Sequence, residues 1–356
     1  MELLSIFMLS LIGLLQMSDT TEIAFVGDAM QHGPQVMAAY RTDGTHDYSE
    51  CFTMVEDDIK SAHFAVANLE CPLGGKPYRG YPMFSAPDDY ARALKNAGFD
   101  MLVTANNHCM DSGSKGLRRT ISVLDTLGIA HVGTYADGME RVQRLPHIED
   151  VNGIKMAFLS YTYGTNGITV PQPVVVDLIN RERIAEDVRN ARQAGAEVVC
   201  ACMHWGNEYE MLPSGYQRDM ARFLKSQGVD MIIGSHPHVV QPMELDYLAG
   251  NGAGNLLVYS LGNFISNQND VNSRGGAMVK VRYTRYNDTP VLLNAEPSLF
   301  FCQKPGGADK NYKLIPQTQG DSVRSDSKFV YDLFMKNATT LFNKNNKNIN
   351  ITTIEQ

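Results

Sequence analysis

The chain is built on a repeated unit: a short apolar run, a residue at its end able to bind a cation or a proton, then a stretch of helical periodicity. Five of these run ends are Gly27-Asp28, Asn68-Leu69-Glu70, Asn106-Asn107-His108, His204-Trp205-Gly206 and Gly234-Ser235-His236-Pro237-His238. In a layered α/β protein the carboxyl ends of buried strands open onto one side of the sheet, so polar groups placed there converge. The last run end is the most informative. His236-Pro237-His238 follows the apolar residues 229–233 and puts two imidazoles on one small patch, as in metal sites whose ligands come from loops.

Strand-like runs occupy residues 22–26, 63–67, 99–104, 155–160, 197–203, 229–233 and 255–260. Helical patterns fall at 49–61, 87–97, 114–127, 179–194 and 214–227, several of them closed by glycine. Strands alternating with helices predict a layered α/β sheet. Runs at 277–283 and 290–296 follow one another without a helix, which predicts an antiparallel addition or the second sheet of a sandwich. No internal repeat or proline-rich linker divides residues 21–316, which read as one domain. Residues 317–356 are expected to form a C-terminal helix and tail. In it, 327–342 turn Phe329, Leu333 and Met335 toward the body, and the polar stretch 343–356 frays.

Of 356 residues, 44% are hydrophobic and 20% charged, a globular balance. The formal net charge is −8, and no basic stretch is available to neutralise phosphates, so a nucleic-acid partner is excluded. A bound cation would still draw anionic substrates locally. Residues 3–15 are almost wholly apolar, too few to span a bilayer comfortably and suited to the core of a secretory signal. Glu2 stands where such signals carry a basic residue and no small-x-small cleavage site follows, so an N-terminal element of the fold is the alternative. A signal or anchor over 1–20, and hence export or membrane attachment, is the expectation. The six cysteines show no C-x-x-C spacing, which argues against a zinc-thiolate site, and no disulfide pairing is assignable. Cys200 and Cys202 alternate along one strand as packed thiols do.

The run ends carry complementary chemistry. Asp28 follows Gly27, which permits a tight turn, and offers a carboxylate to a shared pocket. Glu70 is a hard anionic ligand able to bridge two ions. Asn107 offers an amide oxygen, and His204, His236 and His238 offer imidazole nitrogens suited to Zn, Mn or Fe. His108 is placed to protonate a leaving group or steady a developing oxyanion. Asp111 is positioned to orient His108 or to cap the helix that follows. Trp205, the only tryptophan, reads as a cleft wall or as a core anchor. Glu208 and Tyr209 read as supports for His204. Arg79 and Arg274 lie beside glycines and offer cations to a carboxylate or phosphate. A two-metal site of this composition activates water at neutral pH and clamps an anionic ester.

Taken in order, Gly27-Asp28-Ala29-Met30, Asn68-Leu69-Glu70, Asn106-Asn107-His108-x-x-Asp111-x-Gly113, His204-Trp205-Gly206-x-Glu208-Tyr209, Gly234-Ser235-His236-Pro237-His238 and Ser260-Leu261-Gly262-Asn263-Phe264 form a pattern. It resembles the bacterial CapA family of capsule and poly-γ-glutamate synthesis proteins. That family is similar to the calcineurin-like metallophosphoesterases. The resemblance runs from about residue 21 to 316. It implies a four-layer αββα sandwich with a metal cleft at one edge. One or two divalent ions (Mn, Zn or Fe) would be held by Asp28, Glu70, Asn107, His204, His236 and His238. His108, with Asp111, would form the catalytic pair, and Trp205, Arg79 and Arg274 would face the substrate. Two departures stand out: Met30 replaces the first-block histidine of the phosphoesterases, with His32 two residues on and expected to point elsewhere, and Asn-Leu-Glu replaces their bridging aspartate block. Three functions are compatible with the resemblance: a metal-dependent hydrolase of an anionic ester, a non-catalytic assembly factor binding the polymer or a membrane-bound synthase, and an amide hydrolase acting on a γ-glutamyl polymer. All three place the protein at the cell envelope.

Overall fold

The structure is a computed structural model and describes residues 20–248 and 252–350. The leader expected over 1–20 lies, apart from Thr20, outside the described residues. No helix among the described residues is long and apolar enough to cross a membrane.

Alternation within the strands builds the layers. In strand Thr21–Ala29, Ile23 and Phe25 face one way and Ala24 and Val26 the other. In strand Ile154–Thr162, Met156 and Phe158 oppose Ala157 and Leu159. Each strand is therefore apolar on both faces, as strands buried between two layers must be. Ile23, Phe25, Phe64, Val66, Met156, Phe158, Cys200 and Met231 meet in one central core. The Phe64 and Phe158 rings stack there with centroids 5.2 Å apart. The outer faces are covered separately. Helices Asp88–Asn96 and Gly113–Leu127 bury Tyr90, Leu94 and Leu124 over the first half. Helices Arg181–Gln193 and Gly215–Ser226 bury Ile184, Val188, Met220 and Leu224 over the second. Helix, sheet, sheet, helix is the resulting order. Each fully buried large apolar side chain contributes about 1.5–3 kcal/mol.

The first half is parallel: Ala130–Val132, Met101–Val103, Phe64–Leu69 and Thr21–Ala29 lie side by side. The second half is parallel as well, through Gly252–Val258, Met231–Ser235, Val198–His204 and Ile154–Thr162. The long antiparallel hairpin of Gly275–Tyr286 and Thr289–Gln303 joins the halves, pairing with Thr21–Ala29 on one side and touching the second half at Ala253 and Leu292. The two runs without an intervening helix thus supply both the antiparallel addition and the link between sheets.

Local signals set the helix ends. Asn180 and Ser214 accept hydrogen bonds from the third backbone N–H of their helices, and Gly128 ends Gly113–Leu127 in a left-handed turn. The single helix expected at 49–61 is instead two short ones, Ser49–Phe52 and Glu56–Lys60, with Val55 buried between them. The terminal helix, Lys328–Asn345, turns a face inward that overlaps only partly with the one expected. Tyr331, Phe334, Ala338 and Leu341 are buried and Met335 packs against the core as expected, while Leu333 is half-buried and Phe329 is 76% exposed. The helix bears two apolar stripes, and the surface beneath it selects one. Phe301 presents its ring to Tyr331 and Phe334, and Gly275 leaves the space that Phe334 fills. Nor does the chain fray directly after the helix. Lys347 exchanges backbone hydrogen bonds with Met243 and Leu245, and Ile349 is buried.

Candidate metal centre

Register brings the ligands together before any side chain is considered. Asp28 lies beside Asn68 on one side and Asn263 on the other. A Cβ on Gly27 would lie 1.9 Å from the Gly262 carbonyl, so only glycine permits this approach. Ser235 lies beside His204 in the second half. Beyond Ser235 the backbone turns sharply: His236 and His238 have φ of 97° and 60°. Such conformations cost on the order of 1–3 kcal/mol each in non-glycine residues and persist where the surroundings demand them. Here they aim both imidazoles back over the strand ends.

Asp28, Glu70, Asn107, His204, His236 and His238 converge in a buried cluster, each 0–3% exposed. Ligand atoms of Asp28, Glu70 and His204 lie within 4.8 Å of one another, and so do those of Glu70, His236 and His238. Glu70 belongs to both groups. His204 Nε2 is 2.9 Å from Asn107 Oδ1 and 3.5 Å from Glu70 Oε1. His238 Nδ1 is 3.1 Å from Asp28 Oδ2 and 3.8 Å from Glu70 Oε2.

The fit to a divalent cation follows from what is unsatisfied. Neither oxygen of Glu70 accepts a hydrogen bond, and His236 Nδ1 has no partner, although all three atoms are buried. An orphaned buried carboxylate costs more than an orphaned neutral group, and proteins avoid it unless an ion fills the gap. Burial, reinforced by the charge of Asp28, pushes the Glu70 carboxyl well above the usual range. Burial also opposes ionisation of Asp28, but hydrogen bonds from His238 and Asn68 outweigh it and hold this carboxyl below its ordinary value. Desolvation, with neighbouring imidazoles second, drives His204 far down and His236 down to about 3. Neutral imidazoles and anionic oxygens at one point are the donor set of a Mn, Zn or Fe site. Met30 is buried in the helix-side core.

Beside the cluster, His108 Nδ1 is 2.7 Å from Asp111 Oδ2, the same oxygen that accepts from the Phe84 backbone N–H. Asp111 therefore orients His108. The capping alternative does not hold, because Ser112 is the N-cap and makes no side-chain cap bond. The Phe84 ring packs edge-on against His108, with centroids 4.6 Å apart.

Two of the three expected substrate contacts lie elsewhere. Trp205 is fully buried in the second outer core, its Nε1–H donating to the Tyr259 carbonyl. Strand alternation explains the correction: His204 faces the cleft, so Trp205 faces away. The Arg274 guanidinium lies over the Phe301 ring and donates to the Cys302 carbonyl, which draws it along the hairpin. Arg79 is exposed on a loop closed by mutual backbone bonds with Ser85. Glu208 and Tyr209 do not support His204. Its Nδ1 meets Ser235 Oγ at 2.9 Å, while Tyr209 lies by His238. All six cysteines are buried and unpaired, in keeping with packed thiols.

Several contributors carried no assigned role in the sequence reading. Asn68 Nδ2 bonds Asp28 Oδ1 at 2.8 Å, and Asn106 bonds Asn68 in turn. Tyr163 lays its ring 4.6 Å from that of His236. His32, expected to point elsewhere, packs its ring edge-on against Phe84 and accepts from the Asn267 N–H. Asn68, Asn106 and Asn263 lie inside the quoted motifs, which was the available signal. Asparagine is too common in turns for that signal to stand out.

Layer order, a buried cluster of candidate ligands at the strand ends and an oriented histidine beside it define an α/β sandwich protein with a candidate site for divalent metal. The profile of the family described as "Bacterial capsule synthesis protein PGA_cap" matches residues 22–268, more than half of the chain. The chain belongs to that family. It is similar to the "Capsule biosynthesis protein CapA" of Bacillus anthracis, with 29% identity over 284 residues, 76% of this chain and 65% of that protein. It thus spans slightly under two thirds of that relative. The "PGA biosynthesis protein CapA" of Bacillus subtilis is 27% identical over 286 residues, covering 78% and 72%. Among solved structures, the calcineurin-like phosphoesterase YfkN of Bacillus subtilis covers 90% of this chain and 98% of its own, with 14% identity and a TM-score of 0.45. The sulfate thiohydrolase SoxB of Thermus thermophilus covers 91% and 61%, with 12% identity and a TM-score of 0.49. Both superpose too loosely to define a fold, and the layer order rests on this chain's own packing.

Proposed function

We propose that this protein is a metal-dependent hydrolase of a phosphoester or related anionic ester, acting in capsule or poly-γ-glutamate synthesis at the bacterial cell envelope. The observation that carries the reading is Glu70: a buried carboxylate with two unpaired oxygens, shared by two groups of ligands. Asp28, Glu70, Asn107, His204, His236 and His238 would hold the ions. A divalent ion there supplies Lewis-acid polarisation of the ester and activation of water. In the hydrolysis, water adds to phosphorus, the bond to the leaving oxygen breaks, and that oxygen takes a proton. Asp111 fixes Nδ1 of His108, so Nε2 is the nitrogen left to deliver it. Arg79 sits on the loop whose Gly80 rests on the His32-Gly33 backbone, beside Phe84, and offers a cation to an anionic substrate at the rim. Export or anchoring through residues 1–20 would set the protein beside a membrane-bound polymer synthase.

A second reading, a non-catalytic factor binding the polymer or the synthase around a structural metal, is favoured by one observation: Met30, withdrawn into the core. Hydrolysis of a γ-glutamyl amide is the third outcome. Turnover of a model phosphodiester and of a γ-glutamyl polymer, each with Mn(II) supplied, separates the three. The hydrolase reading expects phosphodiester turnover that falls at least a hundredfold in His108→Ala, with metal content and circular dichroism unchanged. Equal turnover in that variant removes His108 from the mechanism, and no turnover of either substrate leaves the assembly factor.

A further inference from the structure

Met30 is buried in the helix-side core and offers nothing to the cluster, while Asn263, in register with Asp28, turns its amide oxygen toward His238. We infer that Asn263 Oδ1 is a protein ligand of the ion position formed by Asp28, Glu70 and His238; this rests on the metal reading above.

Four observations converge on Asn263. Strand Asn263–Ile265 runs parallel to Thr21–Ala29 with Asn263 in register with Asp28, so both side chains leave adjacent backbones at the same level. Asn263 is fully buried and its amide cannot rotate freely, because Nδ2 donates to Gln268 Oε1 and to the Ser273 carbonyl, each at 2.9 Å. With both amide hydrogens committed, Oδ1 is the atom left to face the cluster, and it lies 3.1 Å from His238 Nδ1. Asp28 Oδ2 lies at the same 3.1 Å from the same nitrogen.

That geometry suits ligation better than hydrogen bonding. One ring N–H can point well at only one of two acceptor oxygens, whereas a cation in front of the nitrogen serves both. Donor atoms about 2.1 Å from one ion and at right angles to one another sit ~3 Å apart, which matches the two 3.1 Å separations. The contacts of His238 Nδ1 gather Asp28 Oδ2, Asn263 Oδ1 and Glu70 Oε2, at 3.1, 3.1 and 3.8 Å. Those of His204 Nε2 gather Asn107 Oδ1 and Glu70 Oε1. Each imidazole thus shares Glu70 and has one asparagine oxygen beside it. A neutral amide in place of a neutral imidazole leaves the charge of the position unchanged.

The test is equilibrium dialysis of the full chain against Mn(II), with metal per chain read by elemental analysis and ion pairing by electron paramagnetic resonance. Wild type is expected to hold two ions as a coupled pair. Asn263→Ala is expected to hold one isolated ion, with affinity for the second reduced at least tenfold, and Asn263→Asp to hold two, with the second bound more tightly than in wild type. His204→Ala should lose the other ion and keep the one at Asn263. Two ions with unchanged affinities in Asn263→Ala would overturn the inference, as would a single ion in saturated wild type; in both cases the metal reading survives. Wild type binding no metal would remove that reading and this inference together. If Asn263→Ala fails to fold by circular dichroism, Asn263→Asp decides: a second ion bound no more tightly than in wild type overturns the assignment.

Discussion

Asp177 and Asp187 are buried around a guanidinium, whereas Glu70 is buried with nothing of opposite permanent charge against it. In the first region Arg141 Nε meets Asp177 Oδ1 at 2.6 Å, Arg141 Nη2 meets Asp187 Oδ2 at 2.5 Å, and the Tyr161 hydroxyl donates to Asp187. In the second, both Glu70 oxygens and His236 Nδ1 are orphaned. Beside the first region a groove of about 660 Å³, lined by Val142, Val174, Leu178 and Arg183 among others, opens to the surface. Groove size is therefore no guide to chemistry here. A self-neutralised network holds structure together, and an incomplete one marks where a ligand belongs.

Breaking the complete network should have the largest effect. Arg141→Met leaves Asp187 buried without a cation and Asp177 with only the Arg183 guanidinium at 3.6 Å, and is expected to cost about 3–5 kcal/mol of stability in urea unfolding, with Mn(II) content per folded chain unchanged. A stability loss under 1 kcal/mol would show that the two regions do not differ in this way.

Completing the incomplete network should stabilise. Mn(II) at a hundredfold over its dissociation constant is expected to add about 2.7 kcal/mol per site, read as a rise in Tm that a chelator reverses. Glu70→Gln should abolish this rise, and its metal-free form should be at least as stable as the metal-free parent because a buried orphan charge is gone. A metal response that persists in Glu70→Gln would remove Glu70 from the site.

The smallest effect expected is in pH. His204 and His236 have folded pKa values below the unfolded value near 6.5. Above that pH both states are neutral and the two histidines cost nothing. As pH falls below about 6.5, the unfolded chain takes up protons that the folded chain refuses, and metal-free stability declines by at most about 1.4 kcal/mol per pH unit per histidine. The Glu70 carboxyl, raised in the folded state, acts oppositely: its contribution is full below about 4.5 and is lost as pH rises toward the folded value. The metal-free protein should thus lack a broad neutral plateau. Denaturant midpoints that stay flat from pH 8 to 5 would contradict the burial assigned to these imidazoles.

Much of this was legible in the chain. Strand runs and helix patterns across 21–260 predict the layers because the central strands there, such as Thr21–Ala29, Phe64–Leu69, Val198–His204 and Met231–Ser235, are buried on both faces, and glycine or a capping residue marks the ends of several of the helices. The six candidate ligands and His108 were legible because each lies at the end of an apolar run. Trp205 misled because it adjoins His204, and adjacency along a strand means opposite faces. Arg274 misled because a cation beside glycines says nothing of the Phe301 ring that captures it. The terminal helix misled because its two apolar stripes are equivalent until Phe301 and Gly275 choose between them.

The amino-acid order alone determined which atoms are available at the strand ends: two carboxylates, imidazoles and amides, with a thioether where one imidazole is missing. It did so because periodicity places a residue on a strand or helix without reference to anything distant. Tertiary structure decided which of those atoms come within reach of one another. Asn263 lies more than two hundred residues from Asp28 and becomes its neighbour only through strand register. Glu70 is a solvated carboxylate in any extended chain, and becomes an unpaired charge only when two sheets close over it.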